Sequence, residues 1–91
     1  MERNQPVEIF KALADETRLS MVRKIAADTE PTPGHVLSTT CTQQLSQPTV
    51  SHHVNRLVEA GILGVEKRGT QKVYTLKRDV LEQAGIDVAK L

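Results

Sequence analysis

Apolar side chains recur at helical spacing in the middle of the 91-residue chain. Four of them fall in one stripe along a helix: Val50, Val54, Leu57 and Val58. Ser46 is a favourable N-cap residue, and Pro48 suits the first turn because its missing N–H would have no partner there. The pattern predicts a helix that begins near Gln47, and Gly61 is suited to end it.

The face of this helix opposite the apolar stripe is polar. It carries Thr49, His52, Asn55, Arg56 and Glu59, with Ser51 and His53 on the flanks. Apart from Glu59, every side chain of this outer face is a hydrogen-bond donor or can become one, and none is large and apolar. Side chains of this kind can contact the edges of DNA bases, so the pattern is typical of a DNA-recognition helix.

Helical patterns also precede the central segment. One helix is predicted over residues 6–14, and Asp15 is a good N-cap for a second one over residues 16–28. Residues 29–34 contain two prolines and one glycine, so we expect a connector there. A short helix over residues 35–43 would hold three side chains inward: Val36, Leu37 and Cys41.

A β-hairpin is predicted after the central helix. Residues 62–76 contain two β-prone runs joined by a turn at residues 68–71, where Gly69 can take a positive φ. Four polar or basic side chains cluster at the predicted tip: Lys67, Arg68, Gln71 and Lys72. Residues 78–91 again show helical spacing, although Gly85 weakens the middle of that helix.

Length and charge narrow the class of protein. Ninety-one residues make one domain. The formal net charge is only +1, but residues 47–78 carry six Lys/Arg and two Asp/Glu, a local excess of +4. A surface that neutralises phosphates needs such an excess. Charge alone would fit an ordinary solvated surface equally well.

Composition also excludes several alternatives. Phe10 and Tyr74 are the only aromatic residues besides the histidines, so an aromatic platform for stacking single-stranded bases is absent. The N-terminus lacks the apolar stretch of a signal peptide, and no apolar run approaches 18 residues. Together with a single cysteine, Cys41, these features predict a cytoplasmic protein without membrane contact.

The predicted order is helix, helix, short helix, turn, recognition helix, β-hairpin, helix. This is a mainly α fold with a small β-hairpin, the order of a winged helix-turn-helix domain. Within it, Leu13 followed by residues 15–19 (DETRL), together with residues 46–53 (SQPTVSHH), resembles the ArsR/SmtB family of bacterial and archaeal winged-helix repressors. Residues 59–61 (EAG) and the basic hairpin extend this resemblance, which covers about residues 6–78.

The resemblance implies a homodimeric transcriptional repressor that places one recognition helix per protomer in the major groove of a palindromic operator. In this chain the expected base-contacting residues are Gln47, Thr49, Ser51, His52 and Asn55. The residues expected at phosphates or in the minor groove are Arg56, Lys67, Arg68, Gln71 and Lys72. The terminal helices, about residues 6–14 and 78–91, would pair across the two-fold axis. For His53, packing or a buried hydrogen bond is at least as good an interpretation as DNA contact.

Metal control, common in the family, is not expected from these residues. The thiolate pair usually found before the turn is missing, since residues 36–39 are Val, Leu, Ser and Thr. The C-terminal helix contains no histidine, and a site made only of its carboxylates would be a poor match for zinc or nickel. We therefore predict no metal site and no cofactor. Cys41 is interpreted as a core or neutral residue, with a thiol sensor and a metal ligand as alternatives, and the inducer is not identified.

Two other classes of function compete with DNA binding. An enzyme would need a nucleophile with a base, or a metal constellation. The chain offers one cysteine, no acid pair with a histidine at motif spacing and no Gly-rich phosphate loop. A winged helix used only for protein or RNA contact is the more plausible alternative. The donor-rich outer face argues against it, because a protein-binding face would usually show exposed aromatic or aliphatic anchors.

Overall fold

The computed structural model describes residues 5–28, 31–37 and 46–91. The helices in these ranges are α1 (Gln5–Leu13), α2 (Glu16–Ala27), α3 (Gly34–Leu37), α4 (Gln47–Glu59) and α5 (Arg78–Gln83). The strands are β1 (Thr32–Pro33), β2 (Leu63–Arg68) and β3 (Gln71–Leu76), and a 3-10 helix (Val88–Lys90) ends the chain. The element order is that of a winged helix-turn-helix domain, which confirms the predicted fold class.

Capping residues begin the two longest helices where the sequence predicts. Asp15 caps α2 by accepting a hydrogen bond from the backbone N–H of Arg18 at 3.0 Å. Ser46 caps α4 in the same way through the N–H of Thr49, at 3.4 Å. Beyond the end of α4, Gly61 takes a φ of 83°, a backbone conformation that is costly for residues with a side chain.

The apolar stripe of α4 lies in the protein core. Val50, Val54 and Leu57 are buried, and Val58 is partly buried against them. They share one cluster with apolar side chains from α1, α2 and the start of the hairpin: Ile9, Met21, Val22, Ile25, Ile62 and Leu63. Since α4 packs against α1, α2 and β2 at once, its polar face is the one left outside.

The predicted hairpin is confirmed in its turn and in the end of its second strand. Strands β2 and β3 pair antiparallel, with Arg68 opposite Gln71 at the tip, and Gly69 has a φ of 65°. The regular strand begins at Leu63, one residue later than the predicted run. Ile62, just before it, is fully buried.

The connector predicted over residues 29–34 contains regular structure that the sequence did not indicate. Thr32 and Pro33 form β1, which pairs antiparallel with Tyr74 and Val73 of β3. The buried hydroxyl of Thr32 donates a hydrogen bond to a carboxylate oxygen of Asp28 at 2.6 Å. The strand depends on a partner far along the chain, so local propensity could not reveal it.

The short helix predicted over residues 35–43 is described only in part. Helix α3 starts at Gly34 and is described to Leu37, whose side chain is fully buried as predicted. Cys41 lies outside the described residues.

The C-terminal helix is shorter than predicted. The expectation of one helix over residues 78–91 is wrong beyond Gln83, because Gly85 takes a φ of 87° and interrupts the helical backbone. Asp87 then caps the final 3-10 helix through the N–H of Ala89 at 3.1 Å. Among the described residues, no helix has the length and apolar character needed to cross a membrane.

Candidate nucleic-acid interface

The polar face of α4 is open to solvent over most of its length. Gln47, Ser51, His52, Asn55 and Arg56 are exposed. The opposite side of the same helix is buried in the core, so these side chains project from a helix with a fixed orientation. They can donate hydrogen bonds to an external partner without disturbing the core.

Thr49 differs from the other predicted base-contacting residues because it is half-buried and already hydrogen-bonded. The hydroxyl of Ser46 donates to Oγ1 of Thr49 at 2.9 Å. The Thr49 hydroxyl hydrogen is then available to a partner, while one of the Thr49 lone pairs is in use. The cap of α4 thus orients the hydroxyl of Thr49.

His53, on the flank of α4, contacts the protein itself. Its Nδ1 lies 3.2 Å from Nη1 of Arg18 in α2 and 3.9 Å from Oδ1 of Asp15. Only 15% of the His53 side chain and 11% of the Arg18 side chain are exposed. His53 therefore attaches α4 to the start of α2, in agreement with its interpretation as a packing or hydrogen-bonding residue.

Arg18 is the residue that the sequence did not single out. Its Nε donates to the backbone oxygen of Ala12 at 2.6 Å, while Nη1 meets His53. The backbone N–H of Arg18 holds the pKa of Asp15 below its ordinary value, against the opposing effect of burial. A signal for Arg18 existed in its place within the DETRL motif, but its partner lies 35 positions away, beyond the reach of periodicity.

The basic residues of the hairpin are exposed and divided between its two faces. Lys67 is directly opposite Lys72, and Arg68 is directly opposite Gln71. Because neighbouring residues of a strand point to opposite faces, the two pairs project on opposite sides of the tip. The predicted cluster is therefore two pairs rather than one patch, and both pairs are open to solvent.

Three carboxylates, Glu8, Glu59 and Glu66, lie near the arginines of this surface and reduce its positive charge. Glu66 lies on β2 and accepts a hydrogen bond from Nη2 of Arg68 at 3.2 Å, with both side chains more than half exposed. Arg56 lines a shallow groove between α4 and α1 together with Glu8, Lys11 and Glu59. Arg56 and Arg68 thus each have an acidic neighbour, whereas Lys67 and Lys72 face each other.

Known proteins resemble both the sequence and the fold. Residues 13–66 match a family model described as a helix-turn-helix domain. The chain is 38% identical over 78 residues to an uncharacterised helix-turn-helix transcriptional regulator of Methanocaldococcus jannaschii, covering 84% of this chain and 82% of the relative. It is 40% identical over 75 residues to an arsenic resistance transcriptional regulator of Pseudomonas putida, covering 82% of this chain but only 56% of the relative.

The chain belongs to the ArsR/SmtB family of winged helix-turn-helix transcriptional regulators. Its fold also matches the solution structure of a homodimeric winged helix-turn-helix DNA-binding domain from Mycobacterium bovis, described as a possible ArsR-family regulator. The TM-score is 0.75 at 22% identity, over 91% of this chain and 74% of that one. Proteins of this family and fold are DNA-binding transcriptional regulators and not enzymes, which confirms the prediction that the chain has no catalytic function.

Metal-binding side chains do not come together in the described part of this ArsR/SmtB protein. No group of three His, Cys, Asp or Glu residues there could hold a metal ion. Cys41 is outside that part of the chain, so the absence of a metal site in the whole protein stays a prediction.

Proposed function

We propose that the protein is a homodimeric repressor that reads a palindromic operator with helix α4. The observation that carries this proposal is the exposed, donor-rich face of a helix whose opposite side is buried in the core. A helix held in this way can enter the major groove without rearranging, and two copies related by a two-fold axis would meet half-sites about one DNA turn apart.

Base recognition is proposed chiefly for the N-terminal half of α4, because recognition helices read base edges mostly from there, and also for Asn55 just beyond that half. The residues are Gln47, Thr49, Ser51, His52 and Asn55. The Ser46 hydroxyl leaves the Thr49 hydroxyl hydrogen free to donate, so we expect Thr49 to contact an acceptor such as guanine O6 or N7.

Phosphate contact is proposed for four basic side chains and one polar side chain around that half. These are Arg56 on α4 and Lys67, Arg68, Gln71 and Lys72 on the hairpin. Lys67 and Lys72 share one face of the hairpin tip, where an isolated pair of like charges is unfavourable. A DNA phosphate between them would relieve that repulsion, which makes this pair the strongest candidate for backbone contact.

Dimerisation is proposed to involve chiefly α1. Val7 and Phe10 on α1 are about half exposed, at 49% and 50%. The C-terminal segment uses Leu81 and Val88 in the core of its own chain, so it has less apolar surface left for a partner than its sequence suggested. The structurally similar domain from Mycobacterium bovis is homodimeric, and exposed apolar side chains on a terminal helix fit the same arrangement.

Repression is proposed to be released without the metal sites common in the family. The described residues hold no metal-binding group, and Cys41 is interpreted as a core or neutral residue. Since an operator-bound regulator acts at the chromosome, we keep the prediction of a cytoplasmic location.

The proposal is tested by selecting bound duplexes from a random pool at low and moderate salt. The selection is repeated with zinc, with copper, with an oxidant and with a reductant. We expect a two-fold symmetric sequence. If a dimer neutralises about 6 to 8 phosphates, the logarithm of affinity should fall with the logarithm of salt concentration at a slope of about −5 to −7.

Three results would contradict parts of this proposal. Equal affinity for every duplex would exclude sequence-specific recognition, and tighter binding to RNA than to duplex DNA would favour the alternative of an RNA-binding module. Loss of operator binding with one metal or oxidant only would show that the protein is a metal or redox sensor after all.

A further inference from the structure

Four polar groups from separate segments meet beside α4, and we refer to them as the Arg18 cluster. They are the backbone oxygen of Ala12, the carboxylate of Asp15, the guanidinium of Arg18 and the imidazole of His53. The cluster joins the end of α1, the cap of α2 and the flank of the recognition helix. DNA contact does not account for it, because both Arg18 and His53 are largely buried.

Arg18 satisfies groups that would otherwise lack partners at two helix ends. The last carbonyl groups of a helix have no partner within that helix, and Arg18 Nε donates to one of them, the oxygen of Ala12 in the final turn of α1. The N–H of the same residue donates to Asp15 at the start of α2. The guanidinium itself is held by the Ala12 oxygen through Nε and lies 4.0 Å from the Asp15 carboxylate through Nη1, the nitrogen that also contacts His53.

The contact with His53 defines the protonation state of the imidazole. A guanidinium has only donors, so at a distance of 3.2 Å Nδ1 of His53 must accept from Nη1. His53 is then neutral, with its hydrogen on Nε2. A protonated imidazole would bring an N–H and a second positive charge against Arg18 and would break this hydrogen bond.

We infer that the hydrogen bond from Arg18 to neutral His53 positions the recognition helix, and that protonation of His53 breaks it and weakens operator binding in mildly acidic solution. The inference rests on the proposed function of α4. Arg18 and His53 are positioning residues here, since neither needs to touch DNA.

The charged groups around His53 shift its pKa in opposite directions. On the α2 side, Asp15 favours the protonated imidazole of His53 and Arg18 disfavours it. On α4, the His52 ring lies edge-on to the His53 ring, with 5.4 Å between the ring centres, and also disfavours protonation of His53. The charged side chains of α1 beside α4 are Glu8 and Lys11, which line the groove with Arg56 and Glu59.

Burial decides the balance of these effects. It lowers the pKa of His53 below the ordinary value, and only Asp15 opposes it. Because the folded protein disfavours the charged imidazole, neutral His53 contributes its full stabilisation of the folded state above the ordinary histidine pKa. This contribution is lost as the pH falls through the lowered pKa of His53. The contact is therefore intact near neutral pH.

The test compares three proteins by operator affinity in steps from about pH 7.5 to about pH 5, a range that extends well below the ordinary histidine pKa because the pKa of His53 is lowered. His53→Asn retains an acceptor near the position of Nδ1 but does not titrate. His52→Asn is the matched control, because it makes the same change at the exposed neighbouring histidine. The DNA is the duplex obtained by selection, or a mixed-sequence duplex if no sequence is enriched.

We expect the affinity of the unmodified protein to fall by about tenfold on acidification, which is close to the net contribution of one protein hydrogen bond. His53→Asn should show almost no fall, whereas His52→Asn should fall at least as far as the unmodified protein. Identical pH profiles for the unmodified protein and His53→Asn would overturn the inference. It would also be overturned if His52→Asn lost the pH dependence of operator affinity while His53→Asn kept it.

A measurement on the free protein separates this inference from the function of α4. Histidine ¹⁵N NMR should show His53 with its hydrogen on Nε2 at neutral pH, and Arg18→Gln should raise the pKa of His53, because a positive charge is removed. If the protein binds no duplex, the proposed function fails, and the tautomer of the free protein still tests the hydrogen bond. A hydrogen on Nδ1 at neutral pH would overturn the inference, even if Arg18→Gln did not fold.

Discussion

The recognition helix and the hairpin differ most in how firmly each is held. Helix α4 buries Val50, Val54 and Leu57 and is attached to α2 through Arg18 and His53. The outer part of the hairpin, residues 65–72, is exposed at every position. One element is fixed on several sides, and the other is held at its base only.

This difference matches two kinds of DNA contact. Hydrogen bonds to base edges depend on the placement of donors and acceptors, whereas charge neutralisation tolerates variation in the position of a lysine. We therefore propose that the firmly packed helix α4 reads the base sequence and that the exposed outer part of the hairpin contacts phosphates. Substitutions in the two elements should have different consequences.

The largest difference is expected in stability. Leu57→Ala removes a fully buried side chain and should lower the free energy of unfolding by about 2–5 kcal/mol. Val65→Ala, in the half-exposed part of β2, should change it by less than about 1 kcal/mol. Urea unfolding followed by circular dichroism measures both, and equal losses would show that the hairpin is as firmly packed as α4.

The next effect concerns the lysine pair of the hairpin. Lys72→Ala in both protomers should make the salt dependence of operator affinity shallower by about 2 in slope, since two phosphate contacts are lost. Lys90→Ala, an equal charge change on the exposed C-terminal 3-10 helix, is the matched control. If Lys90→Ala changed the slope as much as Lys72→Ala, only the net charge would matter.

The sequence predicts helix α4 and its exposed polar face better than it predicts contacts between distant segments of the chain. Ser46, Pro48 and Gly61 carry the local signals that begin and end this helix, and its stripe follows from spacing alone. The β1 strand, by contrast, exists because Thr32 and Pro33 pair with β3. The hydrogen bond from Arg18 to His53 has the same origin, since it arises when distant segments meet.

A smaller loss is expected from the cap of α4. Ser46→Ala removes the acceptor for the N–H of Thr49 and the donor to the Thr49 hydroxyl, and should cost about 0.5–1 kcal/mol of stability. Ser46→Asp, which retains an acceptor at the cap, is the control. Thermal unfolding checks the result, and an unchanged midpoint in Ser46→Ala would show that the cap contributes nothing.

The smallest expected effect is a gain in affinity. Glu66→Gln removes a negative charge beside Arg68 and should strengthen binding to all duplexes by less than about 1 kcal/mol, as for other exposed ion pairs. Fluorescence anisotropy with selected and mixed-sequence duplexes measures it. A gain restricted to one sequence would show that Glu66 takes part in base recognition.

The central claim is that α4 reads bases while the hairpin holds the DNA backbone. It is tested most directly by measuring the affinity of the unmodified protein, His52→Ala and Lys72→Ala for the selected operator and for its single base-pair variants. We predict that His52→Ala loses about 1–3 kcal/mol of discrimination at one position of each half-site. Lys72→Ala should weaken every duplex alike. The same uniform weakening in both variants would contradict the division between the two elements.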